Sequence, residues 1–294
     1  MSGCLAPRHG TKGLVALATC AEIPQGDEDF PALVAELAAL GVEAAPAVWD
    51  ADVDWESFDL VVLRSTWDYA ERREEFLRWA ASLPRVLNPV GVLEWNTDKE
   101  RYLTNLLAAG VPIVPTRFVA PGEPLDPPGV RFVVKPAISA GGRSSAWFSP
   151  AEVDAARALV ARIHGEGRTA MVQPYLGEAV ETALVYVDGQ YSHALRRVVP
   201  LPAAVQDQVF YLDEQLAPAT ASPFQRNVAD AAVACAPGDL LYARVDLLDD
   251  AVLELEVAEP SLYLQFGAGA AARFAAAISQ RLRISPENGR TTTP

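Results

Sequence analysis

The chain is poor in positive charge. Across 294 residues, 24 lysines and arginines face 38 aspartates and glutamates, for a formal net charge of -14. No block of Lys or Arg stands out, which argues against a nucleic-acid-binding protein, since phosphate backbones are held by basic patches. Cysteine is scarce too. Cys4, Cys20 and Cys235 lie far apart, with no CxxC pair and no metal-ligand spacing, so a reducing, cytoplasmic setting is the simplest reading. Long apolar runs are missing: no window approaches the roughly 18 residues of a membrane span, and the N-terminus lacks the apolar core of a secretory signal. Also missing is GxGxxG. The first apolar run, "GLVALATC" (13–20), leads into "AEIPQGDED" (21–29), so the dinucleotide fingerprint of a dehydrogenase is absent.

What is present is an ample core. Half of the residues are apolar, enough for one large domain or two to three small ones folded as a unit. Residues 1–12 read as a disordered leader and 285–294 as a tail. "FPALVAELAALG" (30–41) has helical spacing, with Phe30, Leu33, Val34, Leu37 and Leu40 on one stripe and Gly41 as its stop. "FDLVVLRS" (58–65) reads as a buried strand and "EEFLRWAASL" (74–83) as a helix. Strands alternating with helices imply a parallel sheet over residues 13–94. Ligands of such sheets gather beyond the C-terminal strand ends, where "RSTWDY" (64–69) falls.

A second unit starts near residue 95. "NTDKERYLTNLLAAG" (96–110) reads as a helix closed by Gly110, with Thr97 and Glu100 at capping-box spacing. A strand (130–136), the turn "AISAGGRSSA" (137–146), a helix (149–167) and "AMVQPYLGE" (170–178) follow. The third stretch opens with a hairpin, "ETALVYVDGQYSHALRR" (181–197), whose Asp188-Gly189 is a two-residue turn signal. Residues 198–221 read as irregular, and a helix begins at Ser222-Pro223. A second hairpin within 242–260 and a helix over 268–283 complete the chain.

Several of these positions bear on chemistry. Lys99 shares the apolar stripe of its helix with Leu103 and Leu106; it either snorkels to water or points inward, and spacing leaves both open. Lys135 ends its strand beside "SAGGRSS" (139–145), whose Ser139, Gly141, Gly142 and Arg143 suit presentation of backbone N–H groups to phosphate. In the first hairpin, counting outward from the turn sets Glu181 opposite Arg196 and Leu184 opposite His193; such a pair is more often structural than functional. In "YARVDLLDDAVLELEVAEP" (242–260), a two-residue loop would mix the two faces. A three-residue loop (249–251) instead pairs Asp246 with Glu254, Arg244 with Glu256 and Leu247 with Leu253. Opposed carboxylates repel unless a cation lies between them, and magnesium takes oxygen ligands of this kind; the alternative is a merely solvated acidic face.

Taken in order along the chain, these residues resemble the ATP-grasp superfamily, from about residue 13 to 283. The resemblance implies mixed α/β and α+β architecture: an N-terminal α/β substrate domain (13–94), a central region (95–176) and a C-terminal subdomain (177–284) that clamp ATP. It implies that Lys99 and Lys135 contact ATP phosphates beneath the Ser139–Arg143 loop. Gln173, Tyr175 and Leu176 would form the adenine hinge, and Glu181 would meet the ribose or order that hinge. Asp246, Glu254 and Glu256 would bind magnesium, with Glu256 standing where the family usually has asparagine. Arg244 and Lys135 would act on the transferring phosphoryl group, while Arg64, Ser65, Thr66, Asp68, His193 and Arg196 would hold the substrate. "LRSTWDY", "NTDKERYL", "VVKPAISAG", "YSHAL" and "ELEVAEPSLYL" are most similar to the O-ureido-serine cyclo-ligase group of antibiotic biosynthesis. The implied activity is a carboxylate–amine ligase working through an acyl phosphate, on a small-molecule carboxylate and amine. Its rivals are a phosphotransferase on the same fold and a non-catalytic ATP-binding protein. A homo-oligomer is left open.

Overall fold

The computed structural model describes residues 13–177, 181–198 and 214–284. The expected leader, the expected tail and most of the stretch expected to be irregular lie outside the described residues.

The first sheet is parallel, in the order β2 (Glu43–Val48), β1 (Leu14–Thr19), β3 (Leu60–Ser65), β4 (Val86–Leu87). β1 and β3 are buried along their whole length, as continuous apolar runs require in a sheet covered on both faces. β2 carries no such pattern. Its "EAAPAV" includes Pro46, which lacks a backbone N–H and is tolerated here because β2 is the sheet edge. Helix α1 (Phe30–Ala39) buries Phe30, Leu33 and Leu37 in one core with Phe274 and Ile278 of α7 (Ala270–Arg283). α2 (Arg73–Ser82) follows β3.

The helix expected over 96–110 forms as one piece, with its start a few residues later and a separate short helix before it. α3 (Val90–Asn96) ends at Thr97, whose backbone is still helical, and α4 (Lys99–Ala108) starts afresh. Asp98 is extended and its carboxylate accepts from the Glu100 N–H at 3.0 Å, so Asp98 is the cap and not Thr97. The Thr97 hydroxyl instead donates to the Leu93 carbonyl and accepts from Arg73.

The second sheet is antiparallel, ordered β5 (Arg117–Val119), β8 (Ala170–Pro174), β6 (Phe132–Pro136), β7 (Ala146–Phe148), with α5 (Val153–Gly165) packed on it. The third runs β11 (Gln215–Ala219), β10 (Gln190–Val198), β9 (Glu181–Val187), β12 (Tyr242–Leu248), β13 (Ala251–Glu256), with α6 (Pro223–Ala234) against β12 and β13. Within the stretch expected to be irregular, 215–219 is a strand: β11 adds to β10 as an edge, which accommodates its Pro218.

Two β-bulges correct the hairpin registers. In β9–β10 a shift between Tyr191 and His193 moves every later pair by one, so Glu181 faces Arg197, and Arg196 faces Thr182. In β12–β13 the turn is the two-residue one, Leu248 facing Ala251 and Leu247 facing Val252; a shift then skips Leu253. That single extra residue restores Asp246 opposite Glu254 and Arg244 opposite Glu256.

Candidate active site

A cavity of about 620 Å³ is lined by the second and third sheets and by the loops that follow β1 and β3 of the first. Lys99 at the start of α4, Lys135 at the end of β6, and Ser139, Gly141 and Gly142 of the following turn line it, as do Gln173, Tyr175, Leu176 and Glu181. Arg244, Asp246, Glu254 and Glu256 line it from β12 and β13. Gly141 and Gly142 both have positive φ (62° and 72°), a region that L side chains reach only with strain, so the turn needs glycine at both positions. Only three of the 24 basic residues of the chain are lysines, Lys12, Lys99 and Lys135, and two of them stand here.

Lys99 points inward. It is buried, and its Nζ donates to the Ser139 carbonyl at 2.8 Å, tying the helix start to the glycine turn. Lys135 Nζ donates to Glu254 at 2.7 Å. Burial works against ionisation of Glu254, but Lys135 and Lys99 hold it well below the usual carboxylate range. On the neighbouring strands guanidinium and carboxylate groups alternate. Arg244 donates to Asp246 at 2.9 Å and to Glu256 at 2.5 Å, while Arg197 donates to Glu181 at 2.5 Å, to Asp246 at 2.6 Å and to Glu214 at 2.6 Å. The opposed carboxylates are therefore separated by arginines as well as by Lys135. Burial pushes Glu181 and Glu256 up to about 7, against the pull of Arg197 and Arg244 respectively.

Arg197, Glu214, Tyr263 and Glu259 belong to this cavity without having been singled out in the sequence. Arg197 was displaced by the bulge; Arg196, expected to face the substrate, is exposed. Glu214 and Tyr263 are joined by a hydrogen bond from the tyrosine hydroxyl, a long-range pairing with no local signature.

The residues expected to hold substrate from the first sheet do not line the cavity. Arg64 is fully buried, pairs with Asp27 and Asp29 at 3.5 Å and donates to the Pro260 carbonyl at 3.2 Å. Ser65 donates to Thr19, Asp68 accepts from Trp49 and Arg72, and Thr66 is wholly buried. Trp67 and Tyr69 line the cavity instead. His193 is a core histidine: its Nε2 donates to the Leu262 and Tyr263 carbonyls (3.0 and 3.2 Å), and burial holds its pKa below the ordinary value. Arg143 pairs with Glu71 rather than facing the cavity.

Arg64, Trp67 and His193 share a task with side chains from other elements. Residues 257–264 have no strand or long helix, yet side chains hold them nearly one by one. Asn96 accepts from the Val257 N–H and Asn88 donates to the Val257 carbonyl; Tyr242, Trp67, Arg64 and Arg244 donate in turn to the carbonyls of Ala258, Glu259, Pro260 and Ser261. Asp29 accepts from the N–H groups of Leu262 and Leu264, and His193 donates to the carbonyls between them. Backbone groups this far from water must find such partners, and here they come from sites up to 235 positions away in sequence.

Comparison with known proteins places the arrangement. The chain is 36% identical over 300 aligned positions to the cycloserine biosynthesis protein DcsG of Streptomyces lavendulae, covering 92% of this chain and 99% of that one. A family model described as the N-terminal domain of D-cycloserine synthetase DcsG matches residues 15–88. The crystal structure of D-cycloserine synthetase DcsG superposes with a TM-score of 0.81 at 34% identity, over 92% of this chain and all of that one. An ATP complex of D-alanine–D-alanine ligase from Bacillus anthracis shares the fold, with a TM-score of 0.62 at 16% identity over 92% and 98% of the two chains. Fold and site together define an ATP-grasp enzyme, an ADP-forming carboxylate–amine ligase of specialised metabolism. Within that class, the chain belongs to the D-cycloserine synthetase DcsG family.

Proposed function

We propose that this ligase closes a ring: it phosphorylates the carboxylate of an amino-acid-like substrate with ATP and lets a nitrogen of the same molecule displace the phosphate. The observation that supports this best is the full-length similarity to a cycloserine biosynthesis protein, joined to a cavity that has every charge such a reaction needs. Phosphoryl transfer asks the protein for positioning and charge neutralisation rather than a nucleophile. In this reading residues 13–94 present the substrate, and 95–176 and 177–284 close on ATP, in a cytoplasmic setting.

Lys99 and Lys135 meet the phosphates from the two sides of the Ser139–Gly142 turn, whose backbone N–H groups cover them. Gln173, Tyr175 and Leu176 hold the adenine edge, with Glu181 beside the ribose. Arg244 neutralises the phosphoryl group in flight, and Arg197 keeps Glu181 and Asp246 in place. Among the described residues, no three His, Cys, Asp or Glu side chains are gathered closely enough to hold a metal by themselves. Magnesium usually keeps one or two carboxylates and takes the rest from phosphate oxygens and water, so the all-oxygen set Asp246, Glu254 and Glu256 fits an ion that arrives with the nucleotide. Bound there, magnesium supplies charge neutralisation to the phosphate oxygens.

The test is ADP release in the presence of ATP, magnesium and O-ureido-serine or other amino acids, with and without hydroxylamine. Substrate-dependent ADP with a trapped hydroxamate is the expected result. ADP with a stable phosphorylated product and neither amide nor hydroxamate would replace the ligase by a kinase.

A further inference from the structure

Glu259 stands apart from the other buried carboxylates of the cavity. It is only 8% exposed and lines the wall, yet its side chain has no hydrogen bond or ion pair among the described residues. Its neighbours Glu254, Glu256 and Asp246 each have a cationic partner. A carboxylate taken out of water without a donor is costly, and buried polar groups in folded proteins are nearly always satisfied. The cost is not relieved by local freedom either. Glu259 sits in the middle of the pinned 257–264 segment, with its own carbonyl held by Trp67 and those of Ala258, Pro260 and Ser261 held by Tyr242, Arg64 and Arg244. The protein fixes this backbone and leaves the carboxylate open towards the cavity.

The surroundings say what it awaits. On one side are the charges of Lys99, Arg244, Glu254 and Glu256, all of which act on Glu259, so it borders the phosphoryl-transfer region. On the other are Trp67, Asp27 and Asp29, which line the cavity from the loops that follow β3 and β1. A group that reaches Glu259 from this end and carries N–H bonds would complete it.

Resting on the ligase reading above, we propose that Glu259 receives the attacking nitrogen of the substrate, accepting its N–H hydrogen bond and then its proton as the amide forms. The nitrogen lone pair adds to the carbon of the acyl phosphate and the C–N bond forms. The bond from that carbon to the phosphate-bridging oxygen breaks, and inorganic phosphate leaves with the electron pair. The N–H proton passes to the Glu259 carboxylate and from there to solvent. Burial, with Glu256 and Glu254 nearby, raises the Glu259 pKa above the ordinary carboxylate value, while Lys99 and Arg244 favour its ionised form; once ionised, it holds a proton more strongly than a solvated glutamate does.

The two half-reactions separate the possibilities. With ATP, magnesium and O-ureido-serine, Glu259→Gln should lose cyclised product by about a hundredfold or more, the usual worth of a general base. Hydroxamate trapping should stay within about threefold of the wild type, because hydroxylamine attacks as a neutral amine without a base. Glu259→Asp, which withdraws the carboxylate by one methylene, should fall between the two in cyclised product, and it serves alone if the glutamine variant does not fold. Equal loss of hydroxamate and product would overturn the proposal, since Glu259 would then serve ATP or substrate binding. Unchanged product formation would overturn it as well. A wild type that forms no hydroxamate and no product with any substrate would instead bring down the ligase reading, and this inference with it.

Discussion

Arg197 carries three buried or half-buried carboxylates, Glu181, Asp246 and Glu214. Removing one partner from such a cluster leaves uncompensated charge, which costs about 3–5 kcal/mol. Arg197→Met should therefore lower the unfolding free energy by about that amount in urea melts. Lys135→Ala removes a donor aimed at the phosphates and should cut turnover by about a hundredfold or more while the fold persists, by analogy with the loss of a preorganised donor; steady-state ADP release checks it. His193 gives a pH signature. Its folded pKa is depressed by burial, so the unfolded chain binds its proton first as pH falls. The stability tied to neutral His193 is complete above the unfolded value near 6.5 and declines below it, by at most about 1.4 kcal/mol per pH unit. Replacing it with glutamine should flatten that part of the stability-against-pH curve measured by denaturant midpoints.

At the scale of elements, legibility followed locality. The β1 and β3 runs, the α1 stripe, the Ser222-Pro223 start of α6 and the Asp188-Gly189 turn were all visible because each depends on neighbours within a few residues. The two bulges were not, since a bulge is decided by what the partner strand needs. One of them changed the identity of a site residue, from Arg196 to Arg197. The edge strands β2 and β11 were missed because proline and alanine conceal them. The fourfold reading of "RSTWDY" erred for another reason. At the strand end Arg64 turns inward to hold 257–264, Ser65 and Asp68 are taken up by Thr19, Trp49 and Arg72, and the aromatic Trp67 and Tyr69 line the cavity. Asn96 makes the same point testable: it donates to the Leu255 carbonyl and accepts from the Val257 N–H, acting as a surrogate strand beside Glu256. Asn96→Leu orphans both groups at about 1–3 kcal/mol each. It should lower the melting temperature and the activity together, as thermal unfolding and ADP release would record.

For the whole molecule, the cavity is the place where the second and third sheets and the loops after β1 and β3 meet. A ligand bound there contacts each, so it should stabilise the chain as a unit. Nucleotide with magnesium at a hundred times its Kd should add about 2.7 kcal/mol, seen as a single upward shift of the melting transition that EDTA reduces. None of the described helices is long and apolar enough to cross a membrane.

The scarcity of lysine has a consequence at this scale. An enzyme that makes an activated acyl group works beside its own reagent, because mixed anhydrides acylate free amines. Of the 24 basic residues 21 are arginine, whose guanidinium stays protonated and is a poor nucleophile. Lys99 is engaged with the Ser139 carbonyl and Lys135 with Glu254. The protein thus offers its product-forming intermediate few internal amines to modify, and a self-inflicted adduct, sought by mass spectrometry after prolonged turnover, should be confined to three positions and the N-terminus.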